Sequence, residues 1–170
     1  MPNLIALTDI LEYHVDTEAS LRLYYSSSHP SYQARFTGYF PSEVLSELNE
    51  RLSETEMRSA LVMLARIEAA FRVDYRARAT SKSADPISVR FRKLHASKGD
   101  RARLEDDILE VWRQYLDPAD RAVISQLRGM LKYRHWLAHG RYWNPGAQHT
   151  FDNVYLLADV ILTGFGLQGR

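Results

Sequence analysis

Residues 53–79 read SETEMRSALVMLARIEAAFRVDYRARA, and the period of this stretch decides the fold class. Met57, Leu61, Leu64, Glu68, Phe71 and Tyr75 recur in alternating steps of four and three, which puts them on one face of an α-helix. Ser53 and Glu56 have the Ser-x-x-Glu spacing of a capping box, so the pattern predicts a helix starting there and running to about Ala79. One carboxylate, Glu68, stands in the middle of the apolar face.

The flanking segments carry the same period. Leu11, His14, Val15, Leu21 and Tyr25 predict a helix over 9–27, followed by an aromatic-rich loop to Phe40 and a short helix over 41–52 opened by Pro41. Beyond Pro86, the residues 87–97 read as helical with Gly99 as their stop, and Asp100 is placed to cap a helix carrying Leu104 to Leu116. Asp117-Pro118 reads as N-cap and first turn of a helix bearing Val123, Leu127, Met130, Arg134 and Leu137, with Gly140 just past its end. Thr150 can cap a last helix with Phe151, Val154, Ala158, Ile161 and Phe165 on one face. No stretch alternates with a period of two, so the expectation is an all-α bundle of about five or more helices. It is read as a single domain over 1–170, with 1–52 as an accessory helical segment and 53–168 as the core bundle.

Composition narrows the chemistry. With 170 residues, 45% of them hydrophobic, the chain can bury a core without staples. It has no cysteine, which excludes disulfides, thiolate metal sites and cysteine nucleophiles. No apolar run reaches a membrane span, and Met1 to Ile10 does not read as a signal peptide, so no membrane partner and a cytoplasmic location are expected. Charge is unevenly spread: nine acids and three bases up to Glu56, twelve acids and nineteen bases after it. Eighteen of the 22 basic residues are Arg, whose planar fork suits phosphate, although a solvated basic face explains the same pattern.

The densest chemistry lies in Lys132-Tyr133-Arg134-His135-Trp136-Leu137-Ala138-His139-Gly140-Arg141-Tyr142-Trp143. Arg134 interrupts an apolar stripe as Glu68 interrupts another, and a lone buried charge is costly. Two opposite charges on the seams of two helices are most cheaply placed if they meet, either as a structural ion pair or as a clamp that holds the Arg fork for a phosphate. His139 falls at a helix end, where it can bond the last carbonyls or, as an imidazole, exchange protons near neutral pH. His135 and His139 stand four apart as zinc-binding pairs do, with His149 as a further candidate ligand, but Trp136 occupies the place of a zincin's catalytic Glu. Tyr142 and Trp143, past the helix end, are placed to stack bases. No phosphate-binding glycine loop and no nucleophile elbow is present.

Arg134 and His139, with polar His135 after the Arg and Gly140 after the His, resemble the Arg-x4–6-His motif of HEPN domains, a superfamily of helical-bundle ribonucleases and nucleotide-binding proteins. The spacing alone recurs at Arg90 and His95, but there Phe91 follows the Arg and no glycine follows the His. His135 departs from the Asn usual at that position. The resemblance implies an antiparallel HEPN-like bundle and a metal-independent endoribonuclease without cofactor. In it the 2′-hydroxyl of RNA attacks the adjacent phosphodiester to leave a 2′,3′-cyclic phosphate. Arg134, His139 and His135 would be the catalytic residues, Glu68 would steady Arg134, and Lys132, Arg141, Tyr142 and Trp143 would guide the strand. It further implies RNA and a second copy of the chain as partners, a role as toxin or phage-defence nuclease, and a nucleotidyltransferase-type antitoxin. A non-catalytic nucleotide- or RNA-binding module, or a protein-interaction bundle, remains the alternative from the residues alone.

Overall fold

The computed structural model describes residues 4–169; Met1 to Asn3 and Arg170, which the expected domain 1–170 includes, lie outside the described residues. The protein is an all-helical bundle. Among the described residues there are seven α-helices, α1 (Leu7–Tyr24), α2 (Tyr32–Arg35), α3 (Pro41–Thr80), α4 (Pro86–Lys98), α5 (Leu109–Tyr115), α6 (Pro118–Ala138) and α7 (Phe151–Gly164), and no strand. None of these helices is long and apolar enough to cross a membrane.

α3 is the hub. Its 40 residues span about 60 Å at 1.5 Å per residue, and α1, α4, α6 and α7 all pack against it. Pro41 opens it, and the Glu43 carboxylate accepts the Phe40 N–H at 2.7 Å. The separate short helix expected over 41–52 and the helix start expected at Ser53 are therefore corrected: one helix runs through both. The reason is that nothing between Pro41 and Thr80 breaks it, since neither Gly nor a second Pro occurs there. The acids that imitate a capping box serve other segments instead. Glu54 holds Arg141, and Glu56 accepts the Phe151 N–H at 3.3 Å, at the start of α7. The boundary between residues 52 and 53 thus falls inside α3, and Ile10 of α1 belongs to the main core. A smaller cluster of Tyr25, Phe36 and Val44 closes the far end of the α1–α3 hairpin.

Between α4 and α5 the chain departs from the expected helix capped by Asp100. Gly99, at φ +55°, ends α4, and Gly99–Arg101 forms a 3₁₀ turn whose Asp100 pairs with Arg76. Leu104–Ile108 is then a π-helical turn in which the Ile108 N–H reaches the Arg103 carbonyl at 3.1 Å. The caps expected of Asp117 and Thr150 are present, accepting from the N–H of Asp120 at 3.0 Å and of Asn153 at 3.3 Å. Gly140, at φ +86°, stands just past α6, and the Arg141 N–H reaches back to the Trp136 carbonyl at 3.2 Å, a Schellman closure.

From Ser59 on, the buried residues of α3 are Ser59, Ala60, Met63, Leu64, Ile67, Ala70, Phe71, Asp74, Tyr75 and Arg78, so Glu68 flanks the core face rather than centring it. The buried charges are Asp74 and Arg78. Asp74 accepts from Arg78 Nε at 2.7 Å, from the Trp112 indole at 3.1 Å and from the Gln168 N–H at 2.8 Å. Arg78 also donates to Asp85 at 3.1 Å and to the Gly166 carbonyl at 3.0 Å. Burial pushes the Asp74 carboxyl up, and the Gln168, Arg78 and Trp112 donors pull it back. Removing one partner of such a pair strands the other charge. Arg78→Ala is expected to lower the unfolding free energy by about 3–5 kcal/mol, read from urea denaturation; a loss under about 1 kcal/mol would show the pair to be incidental.

Candidate functional site

Arg134 and Glu68 meet. Arg134 Nη2 lies 3.1 Å from Glu68 Oε2, and the other Glu68 oxygen accepts from Arg72 Nε at 2.9 Å. The carboxylate is 19% exposed and the Arg134 side chain 32%, so the pair sits at the edge of the core, open to solvent. The α6 core face runs through Ile124, Leu127, Met130, Leu131, Tyr133 and Leu137, which leaves Arg134 beside it and facing α3. Arg134 Nε is buried with no hydrogen-bond partner, so the protein does not fully satisfy this guanidinium.

The pair lies in a cleft of about 630 Å³ between α3, the π-turn and α6. Glu68, Lys132, Arg134, His135 and Trp143, all singled out in the sequence, line it together. Lys132 and His135 are exposed, and Trp143 is half-buried with its ring 5.7 Å from that of His135. His139 is not part of the lining. It caps α6, exposed, with its ring centroid 4.2 Å from that of His135, at the mouth of the cleft.

The other two loop residues are placed differently. Arg141 sits at φ +58°, a backbone region costly for a side-chain-bearing residue, and spends both terminal nitrogens on Glu54 at 2.6 and 2.9 Å. It fastens the loop after α6 to α3. Tyr142 is 82% exposed and stands edge-on to Trp143 at 4.5 Å. Trp136 is buried, stacked on Tyr133, and its indole donates to the Trp143 carbonyl at 2.5 Å, so it packs and positions the loop. His149 packs edge-on to Tyr133, and burial pushes its imidazole down, toward the neutral form. Among the described residues no three His, Asp or Glu side chains gather as metal ligands. His95, the His of the second Arg-x4-His spacing, lies 3.2 Å from the Tyr75 hydroxyl.

Sequence reading missed four charged residues of the cleft: Arg72, Arg103, Glu105 and Asp106. Arg72 had a signal, because it stands one helical turn after Glu68. Arg103 immediately precedes the π-turn and Glu105 and Asp106 lie in it; Arg128 of α6 donates to the Glu105 carbonyl at 2.8 Å, a contact no local pattern announces.

The chain matches no protein-family model, no curated protein and no solved structure. The geometry of the cleft therefore carries the functional argument on its own.

Arg141 holds the Glu54 carboxyl down to about 2, with solvent burial opposing and Arg58 assisting. A depressed carboxylate contributes stability above its ordinary value of 4.5 and loses it as pH falls through about 2. Glu54→Gln is expected to be less stable than the parent by about 1 kcal/mol at pH 7, after allowance for solvent screening. The gap should persist down to about pH 4.5 and close on approach to pH 2. Denaturant unfolding across that range measures it, and equal stability at pH 7 would mean that the loop is anchored elsewhere.

Proposed function

We propose that the protein is a metal-independent endoribonuclease of the HEPN type, with its site at the mouth of the α3–α6 cleft. The observation that carries this reading is the Glu68-held Arg134 in one cleft with His135 and Lys132, with the His139 ring against that of His135 just outside the lining. A guanidinium fixed by a carboxylate keeps donors for a phosphate and needs no reorganisation as charge builds at phosphorus. In the proposed reaction the 2′-hydroxyl oxygen bonds to phosphorus while the bond to the 5′-oxygen breaks. The 2′-hydroxyl proton passes to an imidazole, and the departing 5′-oxygen takes a proton from another. The products are a 2′,3′-cyclic phosphate and a 5′-hydroxyl, with no net redox change. Arg134 stabilises the non-bridging oxygens, and Trp143 and Tyr142 offer stacking faces.

In-line displacement places base and acid on opposite sides of the phosphorus. The His135 and His139 rings touch at 4.2 Å between centroids, which leaves no room for a phosphate between them. The proposed enzyme is therefore a symmetric homodimer in which His139 of each chain faces the other across the two-fold axis, with His135 orienting its neighbour. A nucleotidyltransferase-type antitoxin and a role in toxicity or phage defence belong to the same reading.

The test is cleavage of structured RNA by purified protein in EDTA, with analysis of the product ends. His139→Ala is expected to abolish cleavage while leaving RNA binding and the helical circular-dichroism spectrum unchanged. Arg134→Ala is expected to weaken cleavage and binding together. Cleavage that survives in His139→Ala, or that EDTA abolishes, would overturn the mechanism. Mixing tests the assembly: a heterodimer of His139→Ala with the parent should be nearly inactive, and a fully active monomer would refute a two-chain site.

A further inference from the structure

One carboxylate of the cleft has no task in this reaction. Glu68 is paired with Arg72 and Arg134, and Asp106 with Arg103. The Glu105 side chain, half-buried in the same lining, has neither an ion pair nor a hydrogen bond among the described residues. Its backbone, by contrast, is fixed from three directions. Arg128 donates to its carbonyl at 2.8 Å and to Glu110 at 3.0 Å, the Ile108 N–H closes the π-turn on Arg103 at 3.1 Å, and the Asp107 carboxylate takes the Arg103 N–H at 2.8 Å. A π-helical turn is an uncommon conformation that often marks functional sites, and this one presents an unpaired carboxylate to a cleft whose other two carboxylates, Glu68 and Asp106, are already paired with arginines.

The cleft thus offers a cation at Lys132, a fixed guanidinium at Arg134, a flat indole at Trp143, apolar surface at Leu104 and a solitary acceptor pair at Glu105. A ligand that satisfies all of them has an anionic group, a planar ring and two adjacent hydrogen-bond donors. Among the RNA bases, guanine meets this description: its N1–H and N2 amino group lie side by side and match the two oxygens of a carboxylate. Adenine and cytosine set a ring acceptor beside the amino group, and uracil flanks its one N–H with two carbonyls, so each turns a lone pair toward one Glu105 oxygen. The volume, about 630 Å³, is within the range of small-ligand pockets.

We propose that the cleft is a guanine-nucleotide seat in which Glu105 selects the base while Lys132 and Arg134 hold its phosphate. The inference rests on the ribonuclease reading for its substrate class, and it makes the enzyme cut next to guanosine. Binding tests it apart from cleavage. The four ribonucleoside monophosphates, as 3′- and 5′-phosphates, are titrated into the full-length protein and followed at the Trp143 indole NMR resonance. Guanosine monophosphate is expected to bind about tenfold or more tighter than the other three. Glu105→Gln should erase that preference and bring guanosine to the level of adenosine. Lys132→Ala, which leaves the π-turn untouched, should weaken all four and keep the ratio. Equal binding of the four nucleotides, or a guanosine preference that survives Glu105→Gln, would overturn the proposal. RNA cleavage accompanied by equal binding removes the seat and leaves the ribonuclease reading standing. Guanosine-selective binding without any cleavage upholds the seat and removes that reading.

Discussion

The ion pair of Asp74 and Arg78, one helical turn apart on the core face of α3, is where the chain's separate segments are made to agree. Asp74 is fully buried and Arg78 nearly so, and between them they bind the Trp112 indole from α5, the Asp85 cap of α4 and two backbone groups of the C-terminal tail. Each side-chain nitrogen of Arg78 and each carboxylate oxygen of Asp74 thereby has at least one partner. Apolar residues of equal volume would fill the same space, but they would not specify which backbone groups meet. The indole, the cap and the tail fit the pair in one arrangement, so the pair fixes the relation of α4 and α5 to the C-terminal end of α3.

The site inherits its geometry from that arrangement. Glu68 lies six residues before Asp74, about 9 Å along the same uninterrupted helix. The π-turn that forms one wall of the cleft hangs between α4 and α5, whose positions the buried pair sets. Arg128, on α6, then reaches across to the Glu105 carbonyl and to Glu110, tying the wall to the helix that carries Arg134. Catalytic and binding groups held on long helices keep their spacing without the help of a mobile loop.

Glu68 and Arg134 were legible because each broke a strong 3.6-residue stripe, and two opposite charges on two seams have few places to go. The α3 stripe holds at Leu64, Phe71 and Tyr75, which are buried, and misses the core positions Ala60, Met63, Ile67 and Ala70. Tyr75, read on the apolar face, is buried there, while its neighbour Asp74, which the stripe does not include, is buried more deeply still. A sequence pattern cannot separate a core carboxylate from a solvated one when its partners, Trp112 and Gln168, lie 38 and 94 residues away. Ser53 and Glu56 failed for a related reason. A capping box is a local pattern, and here its Glu56 reaches across the bundle to the Phe151 N–H, as the neighbouring Glu54 reaches Arg141. The π-turn left no pattern at all, because its extra residue is accommodated by side-chain contacts from outside the turn.

Those long reaches also explain how the charge imbalance between the two halves is used. The acid-rich N-terminal third supplies Glu54 and Glu56, and they fasten the two ends of the segment between α6 and α7, at Arg141 and at the first residue of α7. The cation of Arg141 is neutralised in doing so, although by sequence it sits among the most basic and aromatic residues of the chain. Lys132, the first residue of that basic and aromatic segment, keeps its charge unpaired among the described residues and faces the cleft. Arg134 is only part-compensated, since its Glu68 partner also serves Arg72. The unpaired Lys132 and the part-compensated Arg134 therefore lie in the cleft between α3 and α6 rather than on the loop beyond it. Trp143 is the residue that joins the two, with its carbonyl held by Trp136 and its ring turned to the cleft. In the proposed enzyme an RNA strand would be gripped by its phosphate on the helices and by its base against Trp143, with the loop held in place by Glu54 and Glu56.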